Sequence, residues 1–148
     1  MHKNEKLNLY WQIWKDMIVE QLSEVAAQIL RAHGKFWINL EENSILLSFR
    51  GFSDTISLII QKLVDEINKC SFENKKEKFN KILDGLNFEN NKFFNSDAWM
   101  ISDHYMRLFL LSKGDFHKKN LIEEGKKLDF NGFLEFTKNL LPQSKNSW

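Results

Sequence analysis

The fold is decided by residues 7–69, whose sequence is LNLYWQIWKDMIVEQLSEVAAQILRAHGKFWINLEENSILLSFRGFSDTISLIIQKLVDEINK. Its residue patterns divide this stretch into three parts. We predict a long helix over Leu7–Ala32, a pair of strands over Lys35–Leu40 and Ser44–Phe49, and a second helix over about Asp54–Lys69. The rest of the chain is organised around this succession of helix, hairpin and helix.

The first helix is indicated by apolar residues that return every three or four positions. One broad apolar face collects Leu9, Ile13, Met17, Ile18, Leu22, Val25 and Ile29. Polar side chains such as Lys15 and Glu24 fall between them, which is typical of a helix that buries one face. Gly34 is a credible helix stop, because glycine commonly follows the last helical turn.

The strand pair is indicated by a change of period from about 3.6 to two. In residues 35–40, apolar Phe36 and Ile38 alternate with Trp37 and Asn39, the pattern of a strand with one buried face. The next three residues form a polar turn. The second strand is more continuously apolar, which predicts that both of its faces are covered.

The junction after the second strand leads directly into the next helix. Gly51 permits backbone geometry that other residues avoid, and Ser53 or Asp54 can cap the helix. This helix has the cleanest periodicity in the chain. Its apolar stripe consists of Ile56, Ile59, Ile60, Leu63, Val64 and Ile67.

Further helices are predicted in the second half of the chain, where the apolar spacing is again helical. Their predicted ranges are 79–94, about 97–113, about 118–127 and about 131–141. We expect residues 1–6 to be a disordered start and residues 142–148 a loose tail. The predicted fold over residues 7–141 is therefore a single α+β unit that is rich in helix. It has a long N-terminal helix, a small antiparallel hairpin, and four to five helices packed on that hairpin.

Composition narrows the classes of function. The 21 basic and 20 acidic side chains nearly cancel, whereas a nucleic-acid binder usually shows a basic excess. The single cysteine, Cys70, excludes an internal disulfide and offers no thiolate cluster for a metal. The sequence shows no signal peptide or membrane span. We therefore expect no nucleic-acid or membrane partner and an intracellular, by default cytoplasmic, location, with a mitochondrial one left open.

Four collinear features resemble a known family of proteins. The long first helix leads to the junction LSFRGFSD at Leu47–Asp54, and then to KFNKIL at Lys78–Leu83. HYMRLFL follows at His104–Leu110, with a closing helix at Phe133–Leu141. This order resembles the third, metal-free repeat of the pitrilysin and insulin-degrading zinc peptidases, the M16 peptidases, over about residues 7–141. The resemblance is to part of a repeat, because strands expected before and after these elements are missing.

The catalytic chemistry of that family is not encoded here. In the family, zinc is bound in the first repeat by a helix with the inverted motif His-x-x-Glu-His, whose glutamate activates water. The histidines of this chain are His2, His33, His104 and His117, and none has a second histidine at the required spacing. We therefore predict that the chain is not an enzyme by itself, has no catalytic or metal-binding residue, and holds no cofactor. The zinc of the parent family belongs to its catalytic repeat.

The resemblance implies a structural function. In the family such repeats wall an enclosed chamber and hold peptide substrate near the catalytic repeat. The implied partners are other repeats of an M16 peptidase or a zinc-bearing catalytic chain, and peptide substrate, with a homo-oligomer also open. The residues expected to face a partner or substrate are Trp11, Trp14, Trp37, Phe52 and Trp99, and the expected structural junction is Gly51, Ser53 and Asp54. Aromatic burial habits indicate that most of the tryptophans lie in the core or pack between domains.

Two other interpretations compete with this one. An independent helical protein-interaction module, with no peptidase role, would show the same helices and the same exposed aromatic residues. The segment Asp129–Phe136 resembles the second half of a calcium loop, but Lys127 and Lys138 would stand where carboxylates are needed. A capped helix start is the simpler interpretation of that segment.

Overall fold

A computed structural model describes residues 4–31, 33–40, 45–111 and 116–140. In these residues it has seven α-helices, one 3₁₀ turn and one β-hairpin, which confirms a helix-dominated α+β fold. The elements are α1 (Glu5–Gln21), α2 (Ser23–Arg31), β1 (Lys35–Leu40), β2 (Ile45–Arg50), α3 (Ser53–Asn68), α4 (Lys76–Lys92), the 3₁₀ turn (Phe93–Asn95), α5 (Ala98–Leu111), α6 (Lys118–Gly125) and α7 (Phe130–Leu140). No helix in the described part of the chain is long and apolar enough to cross a membrane.

The predicted first helix is two helices that meet at Leu22. Helix α1 begins at Glu5 rather than Leu7, because the Asn4 side chain accepts a hydrogen bond of 3.2 Å from the Leu7 backbone N–H. Leu22 is fully buried and lies in a turn between α1 and α2. Backbone bonds continue through the bend, since the Ala26 N–H donates to the Leu22 carbonyl over 2.7 Å. Both helices pack on β1, but α1 also packs on α4, α6 and α7, whereas α2 also packs on α3.

Helix α2 ends in a Schellman motif. The Gly34 N–H donates to the Ile29 carbonyl over 2.9 Å, and the His33 N–H donates to the Leu30 carbonyl over 3.0 Å. Gly34 is thus part of the stop, as predicted, but the left-handed residue is His33, with φ 56°. Gly34 is needed for space, because a Cβ there would lie 2.9 Å from Cγ2 of Ile29.

The two strands form the predicted antiparallel hairpin, and their register runs from Lys35 opposite Arg50 to Leu40 opposite Ile45. Ile38 is buried and Trp37 is exposed, which confirms the period-two pattern of β1. The prediction that both faces of β2 are covered is wrong, because Leu46 is exposed on the outer face. The predicted polar turn lies outside the described residues.

The core is arranged around α1 and two phenylalanines. Phe79 of α4 and Phe133 of α7 are almost completely buried, with ring centroids 5.3 Å apart. The Phe133 ring also packs edge-on against Phe72 at 5.6 Å and against Tyr10 of α1 at 6.0 Å. Aromatic side chains therefore supply much of the packing between α1, α4 and α7.

The predicted later helices are present, with small shifts at their ends. Five helices follow the hairpin: α3 packs on β2, whereas α4, α6 and α7 pack on α1. At the start of α7 the Asp129 carboxylate accepts a 3.2 Å hydrogen bond from the Gly132 N–H, which is the capped helix start favoured for this segment. The Tyr10 hydroxyl donates to the same aspartate over 3.4 Å and ties α1 to α7.

Candidate docking surfaces

The residues predicted to face a partner divide by their burial. Trp14 is only 5% exposed and belongs to the core. Trp11 is half-buried, with its ring edge-on to Trp14 at 5.8 Å and to Phe136 at 5.1 Å. Trp11 thus contacts α7 through Phe136, and the expectation that it also faces a partner stays a prediction, whereas Trp14 is a core residue. Trp37, Phe52 and Trp99 are 46%, 69% and 68% exposed and remain candidates.

The first candidate is the hairpin surface, which we define as Trp37, Leu46 and Phe52. Trp37 lies opposite Ser48, two positions along β2 from Leu46. Trp37 and Leu46 therefore lie diagonally on the outer face of the hairpin, within reach of large side chains. Phe52 follows β2 directly and is more exposed than either. Within the described residues neither outer edge of the two-stranded sheet has a further strand beside it.

The junction next to the hairpin surface has a different detailed structure from the predicted one. Helix α3 begins at Ser53, so Phe52 occupies the N-cap position instead of Ser53 or Asp54. The side chains of Ser53 and Asp54 lie outside the described part of the structure. A Cβ on Gly51 would lie 3.6 Å from Cγ1 of Ile56 and 3.7 Å from the Cα of Gly34, which are ordinary contacts. The junction thus stands close to the end of α2 without requiring glycine for space.

The second candidate is the α5 ridge, which we define as Trp99, Met106, Phe109 and Leu110. With about 100° of rotation per residue, Trp99, Met106 and Leu110 project within about 20° of one line, and Phe109 projects beside them. All four side chains are exposed, and Phe109 reaches 86%. Large apolar side chains grouped on one exposed helix face are typical of an interaction site.

On the side away from the ridge, helix α5 contacts neighbouring aromatic rings. The His104 ring packs edge-on against Phe93 of the 3₁₀ turn at 4.8 Å, and Tyr105 lies 6.0 Å from the His117 ring. The Lys118 ammonium lies 5.7 Å from the centre of the Phe93 ring and donates to Asn90 Oδ1 over 3.2 Å. The ring contacts of His104 and Tyr105 thus lie on the side of α5 away from the ridge, which stays exposed.

Sequence reasoning missed most of the α5 ridge. Among the apolar residues of this helix, Ile101 and Leu108 are half-buried, but Phe109 is almost fully exposed. The available signal was the composition of α5, which carries only two charged residues, Asp103 and Arg107. Because the apolar residues of α5 occur on more than one face, their spacing does not show which face is covered.

The described ionisable groups give no sign of a catalytic centre. Across residues 4–31, 33–40, 45–111 and 116–140, no three His, Cys, Asp or Glu residues come together to hold a metal, so zinc chemistry does not fit this part of the chain. Burial raises the pKa of the Cys70 thiol, which donates to the Glu66 carbonyl over 3.3 Å. This thiol is a protonated core group, since activated cysteines have a lowered pKa.

Comparison with known proteins gives one match. The family model described as the middle or third domain of peptidase M16 matches residues 1–124, which include both candidate surfaces. No curated protein and no solved structure matches the chain significantly.

Proposed function

Because the chain belongs to the family of middle or third domains of peptidase M16, we propose that it forms part of the chamber wall of an insulin-degrading-type zinc peptidase. It is a non-catalytic domain related to the M16 peptidases. A middle domain has neighbouring domains by definition, whether in one polypeptide or in separate chains. The proposed function is to dock on the zinc-bearing catalytic domain and to help enclose its peptide substrate.

The observation that carries this proposal is the exposed hairpin surface. A two-stranded hairpin is marginally stable by itself, and sheets become independently stable with three or more strands or with cover on an apolar face. Here helices cover the inner face of the hairpin, where Ile38 is buried, while the outer face presents Trp37 and Leu46. A neighbouring domain laid on the outer face would complete the layer and remove these side chains from water.

The binding free energy that the hairpin surface contributes to docking comes mainly from its aromatic residues. Tryptophan is among the residues that most often dominate an interface, and its truncation commonly costs about 2 kcal/mol or more of binding free energy. Trp37 is half-exposed and stands on a strand held in fixed register, so it meets a partner with little loss of conformational freedom. Phe52 adds a second exposed aromatic side chain just beyond the end of β2.

Site-specific photocross-linking in the source cells tests this function. A benzophenone amino acid replaces Trp37, and the matched control replaces exposed Asn80 on α4. Mass spectrometry then identifies the cross-linked peptides. The proposal predicts that position 37 captures a polypeptide segment of an M16 peptidase whose catalytic domain carries His-x-x-Glu-His, and that position 80 does not.

The same experiment distinguishes the alternative. If position 37 captures specific partners that contain no M16 domain, the chain is an independent protein-interaction module and the chamber-wall function is wrong. The α5 ridge, which is as well exposed as the hairpin surface, would then be a second recognition surface of that module.

A further inference from the structure

Helix α5 carries a charged flank beside its apolar ridge. Asp103 and Arg107 are four residues apart, form an ion pair within the helix, and project on the same side of the ridge. No charged residue of α5 lies on the other side, where Phe109 forms the edge of the ridge and Tyr105 projects beyond it. The ridge thus has one acid and one base along one side and an aromatic flank, Phe109 and Tyr105, along the other.

The charged flanks of two copies of α5 attract each other only when the two helices run antiparallel. When two identical helices pack antiparallel about a two-fold axis, equal flanks face each other, and residues equally distant from the axis meet. With the axis at Tyr105, Asp103 of each copy faces Arg107 of the other, and both charge pairs are attractive. In a parallel pair each charged flank would instead face the aromatic flank, so no charge of one copy would meet an opposite charge of the other, and only the ion pair within each helix would remain.

The apolar side chains fit the same register. Trp99 and Leu110 lie on opposite sides of Tyr105, each at a distance of about one and a half helical turns. An antiparallel pair therefore places Trp99 of one copy alongside Leu110 of the other at both ends of the contact, with the exposed Met106 side chains near its centre.

We propose that the α5 ridge binds a second copy of this chain, as an antiparallel helix pair with reciprocal Asp103–Arg107 contacts. The occupant is a second copy because the charge pattern of the flank complements itself. This dimer uses the face of α5 and leaves the hairpin surface exposed, so it is independent of docking on a catalytic domain.

A charge-exchange experiment tests both the contact and its orientation. Asp103→Arg makes the flank wholly basic, and Arg107→Asp makes it wholly acidic. Sedimentation velocity should give twice the 17.7 kDa chain mass for the wild type, the single chain mass for each variant alone, and a dimer when the two variants are mixed. Native mass spectrometry should show that the restored dimer contains one copy of each variant.

A matched pair of serine variants tests the apolar part of the contact between the two α5 helices. Leu110→Ser should weaken dimerisation at least tenfold, whereas Leu58→Ser on α3 should leave it unchanged, although the two leucines are 66% and 70% exposed. Circular dichroism should show the same helix content in both variants, since neither side chain is buried. A wild type that stays monomeric at high concentration, variants that dimerise alone, or a mixture that fails to dimerise would each overturn the proposal.

Discussion

Replacing Gly132 by alanine tests how closely the start of α7 is packed against α1. An added Cβ would lie 2.4 Å from the Tyr10 hydroxyl oxygen and 2.8 Å from Oδ1 of Asp129, both closer than real Cβ contacts. The Tyr10 ring is buried and stacked on Phe136 at 5.7 Å, so it cannot simply swing away. Something in the contact between the two helices must shift.

The expected cost follows from three contributions. Inserting a methyl group into a packed site costs about 1–3 kcal/mol. Displacing the Tyr10 hydroxyl from Asp129 removes hydrogen bonding worth about 1 kcal/mol. Alanine recovers up to about 1 kcal/mol, because it favours helix over glycine. We therefore predict that Gly132→Ala lowers the free energy of unfolding by about 1–3 kcal/mol, which is a fall in Tm of about 2–4 °C for each kcal/mol.

Urea unfolding followed by circular dichroism measures this loss, and Gly85→Ala is its matched control. Gly85 also lies in a helix, α4, but a Cβ there meets nothing within 4 Å. That variant should gain about 0.5–1 kcal/mol from helix propensity alone. The same change of residue should thus have opposite signs at the two sites. In a Tyr10→Phe background, which lacks the clashing oxygen, Gly132→Ala should cost about 1 kcal/mol or less.

The outcome at position 132 can refute this reasoning. If Gly132→Ala stabilises the chain as much as Gly85→Ala does, α7 is not held against the Tyr10 hydroxyl as described. If its cost is the same in the wild-type and Tyr10→Phe backgrounds, the clash does not involve that hydroxyl.

Three further predictions concern the ends of helices and one buried hydroxyl. Asn4→Ala should destabilise the chain by about 1 kcal/mol by removing the α1 cap, and unchanged thermal melting would show that Asn4 is no cap. His33→Gly should raise the free energy of unfolding by about 1 kcal/mol, since φ 56° is strained for any side chain; a loss of stability in urea unfolding would contradict the left-handed assignment. Burial, aided by the charge of Asp129, raises the pKa of Tyr10. Tyr10 therefore contributes stability that is fully present below pH about 10, its unfolded pKa, and is lost as the pH rises through the higher folded value. Tyr10→Phe should remove the part of the loss of stability at alkaline pH that comes from Tyr10. If the wild type and the variant have identical stability between about pH 9 and 11, the Tyr10 hydroxyl is not buried as described.

The order of the elements could be predicted because each element has a clear period. The 3.6-residue spacing of α1 and α3 and the alternation of Phe36 and Ile38 with Trp37 follow from which faces are buried. The bend at Leu22 could not be predicted, because the apolar spacing continues through it without a break. The end of α2 was predicted from Gly34, but the left-handed residue is the preceding His33, a residue type that adopts positive φ more often than most but far less readily than glycine.

The candidate surfaces were harder to predict, because a pattern shows which residues are apolar and not which are covered. Trp14 and Trp37 look equivalent in composition, yet one is packed against the core and the other stands on the open face of a hairpin. The difference arises from tertiary packing, since α7 covers the side of α1 that carries Trp11 and Trp14. On α5 both sides are apolar, so periodicity could not indicate that Phe109 points outward.

The measurement that tests the central claim most directly is binding of the purified chain to the zinc-bearing M16 catalytic domain of the same source. Isothermal titration would compare the wild type with Trp37→Ser, and Trp99→Ser would serve as the control at an equally apolar site on α5. The account predicts saturable binding that Trp37→Ser weakens by about 30-fold, a loss of about 2 kcal/mol, and that Trp99→Ser leaves unchanged. No binding by the wild type, or equal binding by the wild type and Trp37→Ser, would contradict docking through the hairpin surface.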